Sequence, residues 1–363
     1  MIKIEEKDIE YLLKGLSFFA TGGGGLPERG RKRLLKALDK GINIYNENEI
    51  DEDSYVLCTF YMGTASPDTD ETRLKRKKFG FNDEIIENPI IEAVNEIEKF
   101  TGIDVSALIS LETGAGATSG TVSAASILGK KAIDGDYAGR AVPEIYQTTP
   151  YLFKKSFIPM AAVDRFGNVT IIKEAKNVFS LERIGKMISE SSYTSLGMAG
   201  ILLPFREVKE IYIPNTISRA LMVGRILSKE NSLDELRSIV KYRILFRGKL
   251  VKREWIDNEG YMEGYHYFIG KGEYNNKSFK IWFRNENHIG LLDNNVVITS
   301  PDLITVLNER NEPLNNTSIH ESEEVKIIGI VSDNKMRSKE AIDILGPRHF
   351  GFDFDYVPFN SSQ

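Results

Sequence analysis

Apolar residues recur at helical spacing from the start of the chain. Ile9, Leu12, Leu13, Leu16 and Phe19 fall on one face and predict a helix from Glu5 to about Phe19. Gly22, Gly23, Gly24 and Gly25 stop it, and Pro27 suits the first turn of a second helix that Leu34, Leu35 and Leu38 carry to Gly41. The pattern then changes. Tyr55 to Met62 is a continuous apolar run, the mark of a strand covered on both faces. Asn88 and Pro89 open a helix with Ile90, Val94, Ile97 and Phe100 on its buried side, ended by Gly102. A strand over Leu108, Ile109 and Leu111 leads into a glycine loop, Glu112 to Gly116, and a small-residue helix that Ser119 opens and Gly129 stops. Ala132 and Ile133 form the next strand, which ends in Asp134, Gly135, Asp136.

Farther on, Phe157 to Val163 and Val169 to Ile172 read as a hairpin turned by Gly167 and Asn168. Residues 180 to 230 look helical, interrupted by Pro204 and Pro214, and 239 to 298 is strand-rich, with strands at Leu245 to Val251, Tyr265 to Ile269 and Phe279 to Phe283. Val325 to Val331 is one more apolar strand. Phe352 to Tyr356 alternates aromatic with acidic residues, as an edge strand would. These elements predict an α/β N-terminal domain, 1–172, with a mostly parallel sheet between helices. A smaller β-rich, α+β C-terminal domain, 173–363, follows, its tail either an anchor or a loop returning to the cleft.

Composition narrows the classes. At 363 residues and 41% hydrophobic, the chain can bury two ordinary cores, and a net charge of −5 argues against a nucleic-acid partner. The basic cluster at Lys75 to Lys78 reads as a solvated face. No run of about 18 apolar residues occurs, and the first residues lack a secretory pattern, so a soluble cytoplasmic protein without membrane contact is expected. The single cysteine, Cys58, lies in an apolar strand, where an inert thiol is the usual role. A homo-oligomer is compatible with the sequence.

In open α/β sheets, ligands sit beyond the carboxyl ends of the strands. The loops 63–73, 112–120 and 134–140 are therefore expected to converge on one cleft. Asp134 and Asp136, two apart, would either hold a divalent metal or share a proton, or else make a structural turn. Asp68 and Asp70 are further metal-ligand candidates or helix caps. Glu112 and Arg140 complete the catalytic candidates, with Arg140 suited to hold a carbonyl or carboxylate. Gly23, Gly24, Thr64, Thr113, Gly114 and Gly116 are candidates for substrate binding through exposed backbone and hydroxyls, with Glu286, Asn287, Arg348 and His349 reaching in from the second half. Neither a phosphate-binding P-loop nor a dinucleotide fingerprint is present, so no nucleotide cofactor is expected. The four histidines, His266, His288, His320 and His349, show no zinc spacing.

An ordered set of motifs spans nearly the whole chain: Ala20 to Gly25, Gly63 to Asp70, Glu112 to Gly116, Asp134 to Arg140 with Pro143 and Glu144, Asn285 to Asn287, Pro301 with Asp302, and Gly346 to Gly351. In this set the chain resembles the S-methyl-thiohydantoin desulfurase-like family, whose members are often encoded beside or fused to hydantoinase/oxoprolinase proteins. One departure is Ala117, Thr118 and Ser119, where an Asn is expected after the glycines. The resemblance implies an enzyme on a small hydantoin-like ring, adding water to the carbon that bears a methylthio group and releasing methanethiol. Asp134 or Asp136 would then be the general base, with the N–H groups around Gly114 and Gly116 stabilising developing charge. Two alternatives stay open: a non-catalytic partner subunit of a hydantoinase/oxoprolinase assembly, and a metal-dependent cyclic amide or imide hydrolase.

Overall fold

The computed structural model describes residues 1–63, 69–81, 86–229 and 232–360. Strand β1 (Ile2–Ile4) is followed by helices α1 (Ile9–Phe19) and α2 (Pro27–Ala37), then strands β2 (Ile42–Tyr45) and β3 (Tyr55–Met62). Helices α3 (Asp70–Lys78) and α4 (Pro89–Thr101) lead to β4 (Val105–Ser110), α5 (Ala115–Leu128) and β5 (Lys131–Asp136). Proline at the first turn opens α2 and α4, and Gly102 and Gly129, both left-handed, end α4 and α5. A short α6 (Thr149–Leu152) and the hairpin β6 (Met160–Val163) with β7 (Val169–Ile172) come next. The chain continues through α7 (Val178–Ser192), β8 (Leu196–Pro204), α8 (Phe205–Ile211), β9 (Ile213–Pro214) and α9 (Thr216–Leu227).

Among the described residues these strands form one sheet of nine, ordered β1-β2-β5-β4-β3-β8-β6-β7, with β9 alongside β5. Its centre, β2-β5-β4-β3, is parallel, and β1, β8 and the hairpin extend it antiparallel. Alternation along β3 explains the layers. Val56, Cys58, Phe60 and Met62 pack on one face with Leu181 of α7 and Phe205 and Val208 of α8. Leu57 packs on the other with residues of α1, α4, α5 and α9. Cys58 is wholly enclosed, and burial pushes its thiol well above the usual range, so it is a packing residue.

Two elements differ from expectation. Strand β8 crosses the stretch 180–230 that reads as helical. Its apolar run has no decisive period, and pairing with β3 and β6 settles it as a strand. Helix α5 starts at Ala115, four residues before Ser119, because its glycine-rich first turn is held by contacts from another loop.

After α10 (Ser232–Leu236), seven strands build an antiparallel sheet: β10 (Tyr242–Asn258), β11 (Tyr261–Gly270), β12 (Ser278–Arg284), β13 (Glu286–Leu292), β14 (Asn295–Thr299), β15 (Leu303–Asn308) and β16 (Glu324–Ile330). Their order is β14-β13-β12-β11-β10-β16-β15. Phe246, Phe268, Phe279, Ile281 and Ile327 pack together as the apolar core of this sheet. The fold is thus an α/β N-terminal part and a β-dominated C-terminal part. Leu303, Leu307, Ile328 and Ile330 join the core around α1 and α9, so the apolar interior is continuous between the two.

The tail after α11 (Lys339–Leu345) corrects one expectation. Residues 352–356 do not form an edge strand, because each aromatic finds its own place. Phe352 packs edge-on to Trp282, the Tyr356 hydroxyl donates to Asp302, and Phe359 enters the core of the second sheet. Among the described residues no helix is long and apolar enough to cross a membrane.

Candidate active site

Beyond the carboxyl ends of β3 and β4 lies a cavity of about 550 Å³. Its floor is Phe60 to Gly63 and Leu111 with Glu112. One wall is Gly22 to Leu26 with Arg29 and Arg33 of α2, and the opposite wall is Val142 to Ile145 with Glu182 and Lys186 of α7. Asn285 and Glu286, from the second sheet, close it.

Two glycine loops interlock to make the first wall. Gly22, Gly24 and Gly25 have φ of 86°, 69° and 79°, a left-handed run that side chains resist. A Cβ on Gly24 would lie 2.6 Å from the Gly114 Cα, and one on Gly114 would lie 2.4 Å from the Gly24 carbonyl oxygen. That carbonyl accepts from the N–H groups of Gly116 (2.9 Å) and Ala117 (3.2 Å), while the Gly114 N–H donates to the Thr118 hydroxyl (3.1 Å). The expectation that N–H groups around Gly114 and Gly116 would meet developing negative charge is therefore corrected. Both are used to tie loop to loop.

Glu286 is carried by a tight turn. Asn285, at φ 57°, receives the Met262 N–H on its side-chain oxygen and donates its own N–H to the Met262 carbonyl, which swings Glu286 off the end of β12. Its carboxylate lies so close to Gly23 that a Cβ there would be 1.9 Å from Oε1. Glu286 is 4% exposed and its Oε2 has no hydrogen-bond partner. Burial pushes its pKa up to about 7, against the pull of Arg140, the Gly24 N–H and Lys186. Glu112, half-buried on the floor, accepts the Val142 N–H at 2.8 Å. Burial and then the charge of Glu286 raise its pKa well above the usual range. Two carboxyls thus face one cavity and oppose each other's ionisation.

The far wall is polar and satisfied. Glu182 accepts from the Ile145 N–H and the Tyr261 hydroxyl, both at 2.9 Å. Lys186 donates to the Gly63 carbonyl at 3.0 Å and sits 4.1 Å over the Tyr261 ring, and burial lowers its pKa. Glu144 pairs with His349 at 2.7 Å. Burial opposes its charge, but the His349 bond and Arg284 hold its pKa below the ordinary value.

Residues 7–174 match the family model S-Me-THD-like, N-terminal domain, and residues 175–359 match S-Me-THD-like, C-terminal domain. The chain belongs to the S-Me-THD-like family. No curated protein matches it. A crystal structure of a protein from Chromobacterium violaceum, solved in a structural genomics programme, superposes with a TM-score of 0.78 over 99% of this chain and 100% of that one, at 19% identity. At that identity the likeness speaks for the fold alone.

Within this S-Me-THD-like fold the candidate residues separate. Glu112, Gly23, Gly24, Gly116 and Glu286 line the cavity, and His349 reaches its edge through Glu144. Asp134 and Asp136 do not line it. Asp134 accepts the Ile217 and Ser218 N–H groups, both at 3.0 Å, at the start of α9. Asp136 accepts from the Thr113 hydroxyl and from the Ala138 and Gly139 N–H groups, closing the turn after β5. The third loop enters the cavity at Val142 to Ile145 instead of 134–140.

Arg140 is fully buried. Its five N–H donors go to the carbonyls of Ala141, Pro301, Asp302 and Asn287 and to the Thr21 hydroxyl, leaving none for a ligand. Asn287 belongs to the same buried network, and Gly114 and Thr113 stand behind the wall. Arg348 is exposed and paired with Asp353 and Asp355. Asp70 is exposed at the start of α3, paired with Arg73. Asp68 and Thr64 lie outside the described residues. Among the described residues no three Asp, Glu, His or Cys side chains are arranged to hold a metal, and the carboxylates of Asp134 and Asp136 are engaged in backbone capping. Glu182, Lys186, Arg29 and Arg33 escape sequence reading, because i, i+4 polar pairs on a helix look the same whether they face a cavity or water.

Proposed function

We propose that this S-Me-THD-like protein is a hydrolase of S-methyl-thiohydantoins, adding water at the ring carbon that bears the methylthio group and releasing methanethiol to leave a hydantoin. The reading rests on the Glu112 and Glu286 pair, two carboxyls that line one cavity and whose pKa values are both raised, chiefly by burial. Glu286 ionises first, since Arg140, Lys186 and the Gly24 N–H favour its charged form, and acts as general base. Glu112 keeps its proton and acts as general acid.

The steps balance. Water forms the new C–O bond while Glu286 takes its proton and Glu112 protonates the ring nitrogen of the C=N bond. The tetrahedral intermediate then collapses. Its hydroxyl proton returns to Glu112, the C–S bond breaks, and the leaving thiolate takes the proton held by Glu286. The net change is water in and methanethiol out, with no oxidant or reductant.

The test is methanethiol release from a 2-methylthio-imidazolone, followed with a thiol reagent, with ¹⁸O from labelled water appearing in the hydantoin carbonyl. Turnover is expected to rise as pH climbs through about 7, where Glu286 loses its proton. Glu286→Gln and Glu112→Gln should each lower kcat/KM by about 10²-fold or more. A folded Glu286→Gln protein with undiminished turnover, or no methanethiol from any ring tried, would refute this assignment.

A further inference from the structure

One end of the cavity carries positive charge that, among the described residues, no carboxylate answers. Arg29 and Arg33, one turn apart on α2, both line it. Arg33 is 3% exposed. It donates to the Gly116 carbonyl at 3.3 Å and the Glu87 carbonyl at 3.5 Å, and its guanidinium lies 4.2 Å over the Tyr61 ring. Arg29 lies at the exposed mouth. Among the described residues neither forms an ion pair, and the nearby Glu87 carboxylate is taken by Lys32 and Lys36. A guanidinium buried without a counter-ion is costly unless something else supplies the negative charge. Because this end is a cavity wall, the missing anion can be part of a ligand.

The acid–base pair is close by. Gly23 touches Glu286, and Gly25, two residues on, touches Gly116, whose carbonyl holds Arg33. Two residues of chain span about 7 Å at most. The acid–base pair and the arginines are therefore set along one continuous wall of the same cavity. We propose, building on the function above, that the substrate ring carries an acidic side chain, a carboxylate on a short tether, and that Arg29 and Arg33 bind it. The apolar Leu26 and Tyr61 flank the tether, and the carboxylate sits at the mouth, where a planar guanidinium can bind it through two parallel hydrogen bonds.

A pair of substrates tests this: an S-methyl-thiohydantoin with a carboxymethyl group on the ring, and its neutral carboxamide twin. The wild-type protein should favour the acid by at least tenfold in kcat/KM, chiefly through KM. Arg29→Gln should bring the ratio near one, and Arg29→Glu should invert it. Arg29 is exposed, so these variants leave the packed core alone. Equal kcat/KM for the twins in the wild type, or an undiminished preference in Arg29→Gln, overturns the proposal while the hydrolase reading stands. If neither twin turns over, calorimetry with the two corresponding hydantoins decides separately. Tighter binding of the acid that Arg29→Gln removes supports the anion site. Equal affinities, or no binding of the acid at millimolar concentration, overturn it.

Discussion

At position 23 there is no room for one methyl group. A Cβ would stand 1.9 Å from the Glu286 Oε1, yet Gly23 itself is outside the left-handed region, so alanine meets no backbone strain there. The clash would fall on the end of a side chain, and Glu286 would move. Gly23→Ala should therefore leave the unfolding midpoint within a few degrees of wild type while lowering kcat/KM by about 10²-fold, the scale of loss when a reacting group shifts by about 1 Å. Thermal unfolding and turnover on one preparation check this. Retained activity would mean that Glu286 is not positioned by this contact. The run of four glycines is plain in the sequence, but the atom that makes Gly23 necessary comes from a strand near the other end of the chain.

At the scale of elements, β5 shows how a site-like motif can be structural. Asp134 and Asp136 are two apart and flanked by glycine, the arrangement that suggests a metal or a shared proton. Each instead meets backbone N–H groups that the end of a strand and the start of α9 would otherwise leave bare. Burial raises the Asp136 pKa, and the Thr113 hydroxyl and the two N–H groups restrain the rise. Asp136→Ala should cost about 3 kcal/mol, since three buried donors lose their acceptor, whereas Asp136→Asn keeps an acceptor oxygen and should cost about 1 kcal/mol. In both, the folded protein should turn over within about threefold of wild type. Urea unfolding and initial rates separate these effects, and a stable but inactive Asp136→Asn protein would return Asp136 to the catalytic role. The same local ambiguity hid β8, whose apolar run fits a strand or a helix until a neighbour is known.

At the scale of the molecule, the cavity exists because two sheets meet. Glu112 comes from the loop after β4 and Glu286 from the start of β13, and buried polar contacts hold the halves together. Arg140 reaches Pro301, Asp302 and Asn287 across the join, the Thr305 hydroxyl donates to the Phe18 carbonyl, and the Asn287 N–H donates to the Thr21 carbonyl. Replacing Arg140 by Met keeps its length but strips donors from buried acceptors, and should lower stability by about 3–5 kcal/mol. The midpoint in urea reads this directly; an unchanged midpoint would mean that the network is not what joins the halves. The continuous apolar run of β3, the proline-led and glycine-ended helices, the two-part architecture and the family motifs were all determined by the sequence alone, because each depends on residues near one another along the chain. Only the tertiary structure decided that Glu112 faces Glu286, that Arg140 and Asp136 serve the scaffold, and that Arg29 and Arg33 lack a counter-ion among the described residues. Those facts are distances and desolvation between segments far apart in the chain, and burial, which sets each carboxyl's charge, exists only once the sheets have closed over it.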